Sequence, residues 1–203
     1  MEHTVNQITV RGSLQELPVF SHENHGKKFY RFTLDIPRLS GAIDSLPVVV
    51  SQQILNTIDL SGGEMLTVTG QIRSHNVRND GTRHLLIFIF ANSIFAEDAD
   101  PINEVILTGP ICKEPVFRRT PLGREICDVM LAVPRAFKRA DYLPCILWGR
   151  TAQEISRCKV RDIICIQGRL QSRIYTKLTE DGPVERTAYE ISALTAEIVE
   201  SDT

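Results

Sequence analysis

Tyr142 and Trp148 stand six residues apart in YLPCILW (142–148), with Leu143, Cys145 and Leu147 alternating between them. Successive side chains of an extended strand point to opposite faces. The two rings therefore share a face with Pro144 and Ile146, and the three apolar residues share the other. At roughly 3.3 Å per residue the rings lie about 20 Å apart, too far for one small-molecule pocket and far enough for several stacked planar groups. A second segment alternates in the same way: Ile164, Ile166, Gly168 and Leu170 point one way, and Gln167, Arg169, Gln171, Arg173 and Tyr175 the other. Rings interleaved with guanidinium groups suit a single nucleic-acid strand. Unpaired bases stack on aromatic side chains, each worth about 1–3 kcal/mol, and arginines neutralise the phosphates between them. Phe137 lies among Arg135, Lys138 and Arg139 in a loop, where a phenyl ring has little packing reason to be. Arg118, Arg119 and Arg124 fall in the first loop, and Arg169, Arg173 and Lys177 run toward the last one.

The elements that position these residues are written twice. PRAFKRADYLPCILWG (134–149) repeats the skeleton of PRLSGAIDSLPVVVSQ (37–52). Asn6 and Asn103, Gly12 and Gly109, Pro37 and Pro134, Asp44 and Asp141, and Pro47 and Pro144 are all separated by 97 positions, and Gly70 and Gly168 by 98. A repeat of that period is domain-sized. It predicts one fold over 1–98 and a second over 103–200, joined around the acidic, proline-containing EDADPIN (97–103). In the second copy, strands are predicted over 104–111, 126–133, 143–148, 163–175 and 188–199. One helix is predicted at TAQEISRC, with Thr151 as N-cap and Glu154 completing a capping box. Five strands with a short helix after the third predict an all-β chain of two tandem OB-folds, small barrels that often bind oligonucleotides.

The apolar face survives in both copies, since Leu46, Val48 and Val50 match Leu143, Cys145 and Leu147. The rings do not. Ser40, Ser45, Ser51 and Val77 stand where Phe137, Tyr142, Trp148 and Tyr175 stand. On these two strands the first copy has no Phe, Tyr or Trp on its non-core face, so it is expected to supply barrel-to-barrel contacts while the second binds.

Whole-chain properties bound the alternatives. A net charge of −2 over 203 residues gives no global pull toward nucleic acid or membrane, so the electrostatic footprint must be local. No apolar run reaches a membrane span, and MEHTVNQITV lacks the basic start and apolar core of a signal peptide, so the cytoplasm is expected. Five cysteines without a C-x-x-C pair write neither a zinc site nor a redox motif. Cys145 and Cys165 read as buried small hydrophobes. His22 and His25, at H-x-x-H spacing, read as a polar loop. No metal or cofactor is expected. No phosphate loop, nucleophile elbow or paired catalytic carboxylates are written, so no enzyme is expected.

Taken together, NEVILTG (103–109), PVFRRTPLG (115–123), DVMLAV (128–133), LWGRTA (147–152) and GRLQSRIY (168–175) resemble the bacterial single-stranded DNA-binding proteins. The resemblance implies four stacking positions, which fall on Phe137, Tyr142, Trp148 and Tyr175. It also implies assembly into four OB-folds, hence a homodimer here, and roles in DNA replication, repair and recombination. The family's acidic tail, which recruits replication proteins, has no counterpart in the closing IVESDT. Two other readings stay open: a replication-restart or recombination accessory that mainly binds proteins, and an RNA-binding OB protein.

Overall fold

Side-chain alternation closes each copy into a barrel. The computed structural model describes residues 5–79, 82–179 and 182–199. The first copy runs β1 (Asn6–Leu14), β2 (Val19–Asn24), β3 (Lys27–Pro37), β4 (Ile43–Ser51), α1 (Gln52–Leu55), β5 (Met65–Asn79) and β6 (Thr82–Ala96). The second repeats the order as β7 (Ile102–Pro110), β8 (Val116–Arg119), β9 (Glu125–Arg135), β10 (Arg139–Trp148), α2 (Gly149–Ile155), β11 (Ile163–Thr179) and β12 (Gly182–Ile198). These are two OB-type barrels. In each, the strand before the helix pairs in parallel with the last strand, β4 with β6 and β10 with β12. The first barrel closes through β1–β3, and the second through a bridge between Ile111 and Leu131. Leu46, Val48 and Val50 of β4, and Leu143, Cys145 and Leu147 of β10, are buried in the two interiors. No helix among the described residues is long and apolar enough to cross a membrane.

Three local expectations are corrected. Each copy has six strands, not five, because β2 and β8 pair onto β3 and β9 where a first loop was expected. Arg118 and Arg119 therefore lie on a strand. The second helix begins directly after Trp148, where Gly149 takes a φ of +55° and turns the chain off β10. Thr151 is already inside the helix and caps nothing. Cys165 is half-buried on the outside of β11, because Ile164 and Ile166 take the inward positions. The expectations about the chain's first four residues and about its end beyond Val199 lie outside the described residues.

Residues kept by the repeat meet at the seam between barrels. There β1 pairs with β7 antiparallel, from Asn6 opposite Leu107 to Arg11 opposite Ile102. Asn6 donates to the Ile72 carbonyl and accepts from its N–H, both at 2.8 Å. Asn103 does the same to Leu170 at 2.8 and 2.9 Å. Buried Asp44 accepts from the Ser172 N–H at 2.7 Å and from Arg38 Nε at 2.7 Å. Buried Asp141 accepts from the Ser74 N–H at 2.7 Å, with Arg73 at 3.0 Å and Arg135 at 3.3 Å. A buried carboxylate persists only where cations and N–H groups replace its water. Each barrel thus supplies a backbone N–H to the other's aspartate, and each aspartate also pairs with an arginine of its own barrel. The repeated glycines have a similar reason. A Cβ on Gly70 would sit 2.2 Å from the Phe90 carbonyl oxygen, and one on Gly168 would sit 2.3 Å from that of Ser192, each at a bulge in its strand.

Candidate nucleic-acid interface

Inward Leu147 and Cys145 force their neighbours on β10 outward. Trp148 lies outside the barrel, 39% exposed, and its Nε1 donates to Ser192 Oγ at 3.2 Å. It stands opposite Ile126 on β9, which stands opposite Arg118 on β8. On the other side Ile146 is opposite Ser192, which is opposite Arg169 on β11. Tyr142 is exposed farther along β10, and its backbone N–H donates to Ser74 Oγ of the first barrel at 2.7 Å. Tyr175 is half-buried, with the Arg173 guanidinium 5.7 Å from its ring centre, a cation–π contact. Phe137 is 94% exposed in the tight β9–β10 turn, at a φ of +60°.

The cations divide into two sets. Arg118 pairs with Asp128 at 2.5 Å, Arg119 with Glu125 at 2.8 Å, and Arg173 lies 3.8 Å from Glu190. Arg135 faces buried Asp141 at the seam, rather than the loop around Phe137. Arg124, Lys138 and Arg139 are exposed and make no ion pair among the described residues. Arg169 is half-buried in a seam cleft of about 600 Å³ with Arg38, Asp100 and Glu104. Lys177 lies half-buried on the far arm of β11. The fold therefore brings Trp148, Arg118, Arg169 and Arg173 onto one curved surface, and Tyr142 and Tyr175 onto its continuation toward the seam. The β9–β10 turn, with Phe137, Lys138 and Arg139, stands at the opposite end of β10 from Trp148 and Arg124.

Three residues of this surface escaped the sequence reading, which assigned faces only to the third and fourth strands. Glu190 lies on β12 opposite Gln171; burial raises its carboxyl above the ordinary carboxylate range, against the lowering pull of Arg173. Asp128 is the second carboxylate on the face. Arg186 stands opposite Tyr175, and its buried Nε has no hydrogen-bond partner among the described residues. It lines a cleft of about 510 Å³ with His84, Pro144 and Tyr175, where the hairpin arms of the two barrels meet. The missing signals were the register of β12 against β11 for Glu190 and Arg186, and the pairing of β8 with β9 for Asp128. The first copy carries outer-face rings on strands to which the sequence assigned no face. Phe29 on β3 and Phe90 on β6 are half-buried there, and His22, read as part of a loop, lies on β2 beside them.

Residues 102–199 match the model of the single-strand binding protein family. Over 80 residues the chain is 38% identical to single-stranded DNA-binding protein B of Bacillus subtilis, covering 36% of this chain and 71% of that one. Over 81 residues it is 36% identical to the single-stranded DNA-binding protein of Bacillus cereus, covering 36% of this chain and 48% of that one. The chain thus spans about half the length of that second relative. Among solved structures, the wild-type single-stranded DNA binding protein from Thermus aquaticus superposes with a TM-score of 0.80 at 21% identity, covering 98% of this chain and 95% of that one. At that identity the likeness is one of fold, and it extends over both barrels.

Proposed function

The chain belongs to the single-strand binding protein family, and from that premise we propose that it binds single-stranded DNA with little regard to sequence, mainly through the outer face of the second barrel, over 103–200. Trp148, Tyr142, Tyr175 and Phe137 stack on bases. Arg124, Lys138 and Arg139 meet phosphates directly. Arg118, Arg119 and Arg173 exchange a carboxylate for a phosphate, while Arg169 and Lys177 extend the basic track. Arg135 faces Asp141, so we assign it to the seam. The first barrel, over 1–98, holds its half of the seam, and two chains associate to give four barrels.

The observation that carries this reading is the indole of Trp148, held outside its barrel by Leu147 and steadied by Ser192. Stacking is blind to base identity because every base has a π-face, which is why rings rather than base-edge hydrogen bonds give sequence tolerance. Titration of an oligothymidine of about 35 nucleotides at several salt concentrations tests it. Affinity is expected to fall as salt rises, and Trp148→Ala to weaken binding by about 1–3 kcal/mol. Salt-independent binding, or an unchanged affinity in a folded Trp148→Ala variant, contradicts the reading.

A further inference from the structure

The first barrel replaces the rings of β10 with serines, yet it carries rings on the strands to either side. Phe29 of β3 stands opposite Ser51 of β4, and Val49 of β4 stands opposite Phe90 of β6. The matching points of the second barrel hold Ile126, Trp148 and Ser192. There the middle strand bears the ring and its neighbours bear an aliphatic side chain and a hydroxyl. Here the order is reversed. Phe29 and Phe90 have ring centres 5.8 Å apart, although two strand spacings of about 9.5 Å separate β3 from β6. They lean together over Ser51, whose hydroxyl accepts from the Ile54 N–H at 3.3 Å and leaves the space above it to them. An indole at position 51 would fill that space.

The row continues on both sides. A bulge between Phe20 and His22 sets His22 opposite Phe29. Their rings stack at 4.9 Å with planes 12° apart. On the other side the Arg73 guanidinium lies 5.9 Å from the centre of Phe90. Four flat groups thus cross β2, β3, β6 and β5, with His22 exposed and the phenyl rings half-buried.

We propose that this row is a second stacking site for unpaired bases, built by the first barrel from His22, Phe29 and Phe90, and that a DNA strand seated on the second barrel continues onto it. The inference rests on the single-strand-binding reading above and adds a ligand role to the barrel there given only the seam. Two observations choose the occupant. The first is charge. The carboxylates Asp128 and Glu190 of the second face are replaced here by Arg31 and Phe88, and Lys27 and Lys28 are exposed at the β2–β3 turn beside His22. Glu23 opposes Lys28 across that hairpin, Asp35 lies farther along β3 bonded to Ser45, and the charge of Arg73 is met by Asp141. The second is continuity. Arg73 touches both Phe90 and Asp141, and Ser74 accepts from the Tyr142 N–H, so the end of this row abuts the stacking face of the second barrel at the seam.

The test compares two lengths of oligothymidine on the full chain at fixed low salt. Sites run about 4–16 nucleotides per OB-fold, so an oligomer of about 8 engages one barrel and one of about 35 can reach both. In Phe90→Leu, and separately in the exposed-site variant His22→Ala, affinity for the longer oligomer is expected to fall about fivefold or more, the loss of one stacked base, with the shorter unchanged. Thermal melting checks that both variants are folded. Unchanged affinity for both lengths in a folded variant overturns the proposal and leaves the second-barrel reading standing. Equal losses on both lengths mean that the rings act through the fold, which also overturns it. Failure of the unsubstituted protein to bind either length sinks both readings.

Discussion

Trp148 and Ser51 occupy the same place in the two repeats, the last residue before a helix, and serve different ends. The indole faces outward beside Ser192, while the serine caps α1 and lies beneath two phenyl rings. Alternation along a single strand was enough to place Trp148, Tyr142 and Tyr175 outside the barrel, because period two is readable without knowing any partner strand. The ring row of the first barrel was not readable in this way. It depends on the pairing of β2, β3, β4 and β6 and on a bulge that shifts His22 by one residue, and register across strands is a tertiary property. Glu190 was hidden for the same reason, and it yields a prediction. Burial raises its folded pKa, so its stabilising contribution is full below the unfolded carboxylate value of about 4.3 and is lost as pH climbs through the raised value. Glu190→Gln is expected to be more stable than the parent at neutral pH, with the two melting curves converging toward about pH 4. Removing this charge from beside Arg118 and Arg173 should also tighten oligothymidine binding at neutral pH by about two- to fivefold. Weaker binding by the variant would assign Glu190 to holding the surface together.

At the scale of elements, the repeat exposed which residues had been kept but not why. Asp44 and Asp141 meet partners 128 and 67 positions away, at Ser172 and Ser74, and no local pattern announces such a pairing. Their roles became legible only when β4 was seen against β11 and β10 against β5. Asp141 is fully buried between Arg73, Arg135 and the Ser74 N–H. Removing one partner of a buried charge cluster leaves the others desolvated and uncompensated, typically at a cost of about 3–5 kcal/mol. Asp141→Ala should lose stability of that order in urea denaturation, and Asp44→Ala should behave alike, since its surroundings are the same in kind. A loss below about 1 kcal/mol in both would mean that the seam is held by the β1–β7 ladder alone. The helix boundary shows the opposite failure. A capping box at Thr151 was a sound local signal, and it was overridden at Gly149, where the chain turns off β10 at a positive φ and the helix begins with Trp148 as its N-cap, three residues earlier.

For the whole molecule, one sheet runs unbroken through both barrels across β5, β1, β7 and β11. Its outer face, with Gln7, Ile106 and Gln167 exposed, is the surface on which we expect a second chain to dock. Sedimentation should then give twice the chain mass at micromolar concentration, and a monomer there would contradict the homodimer. An indole that the second barrel presents to bases has a reporter of its own, since Trp148 is the single tryptophan. Its fluorescence should be followed while oligothymidine is added at low salt. Saturable quenching that salt reverses is expected; binding seen by another probe with no change in the Trp148 emission would contradict a stacked indole.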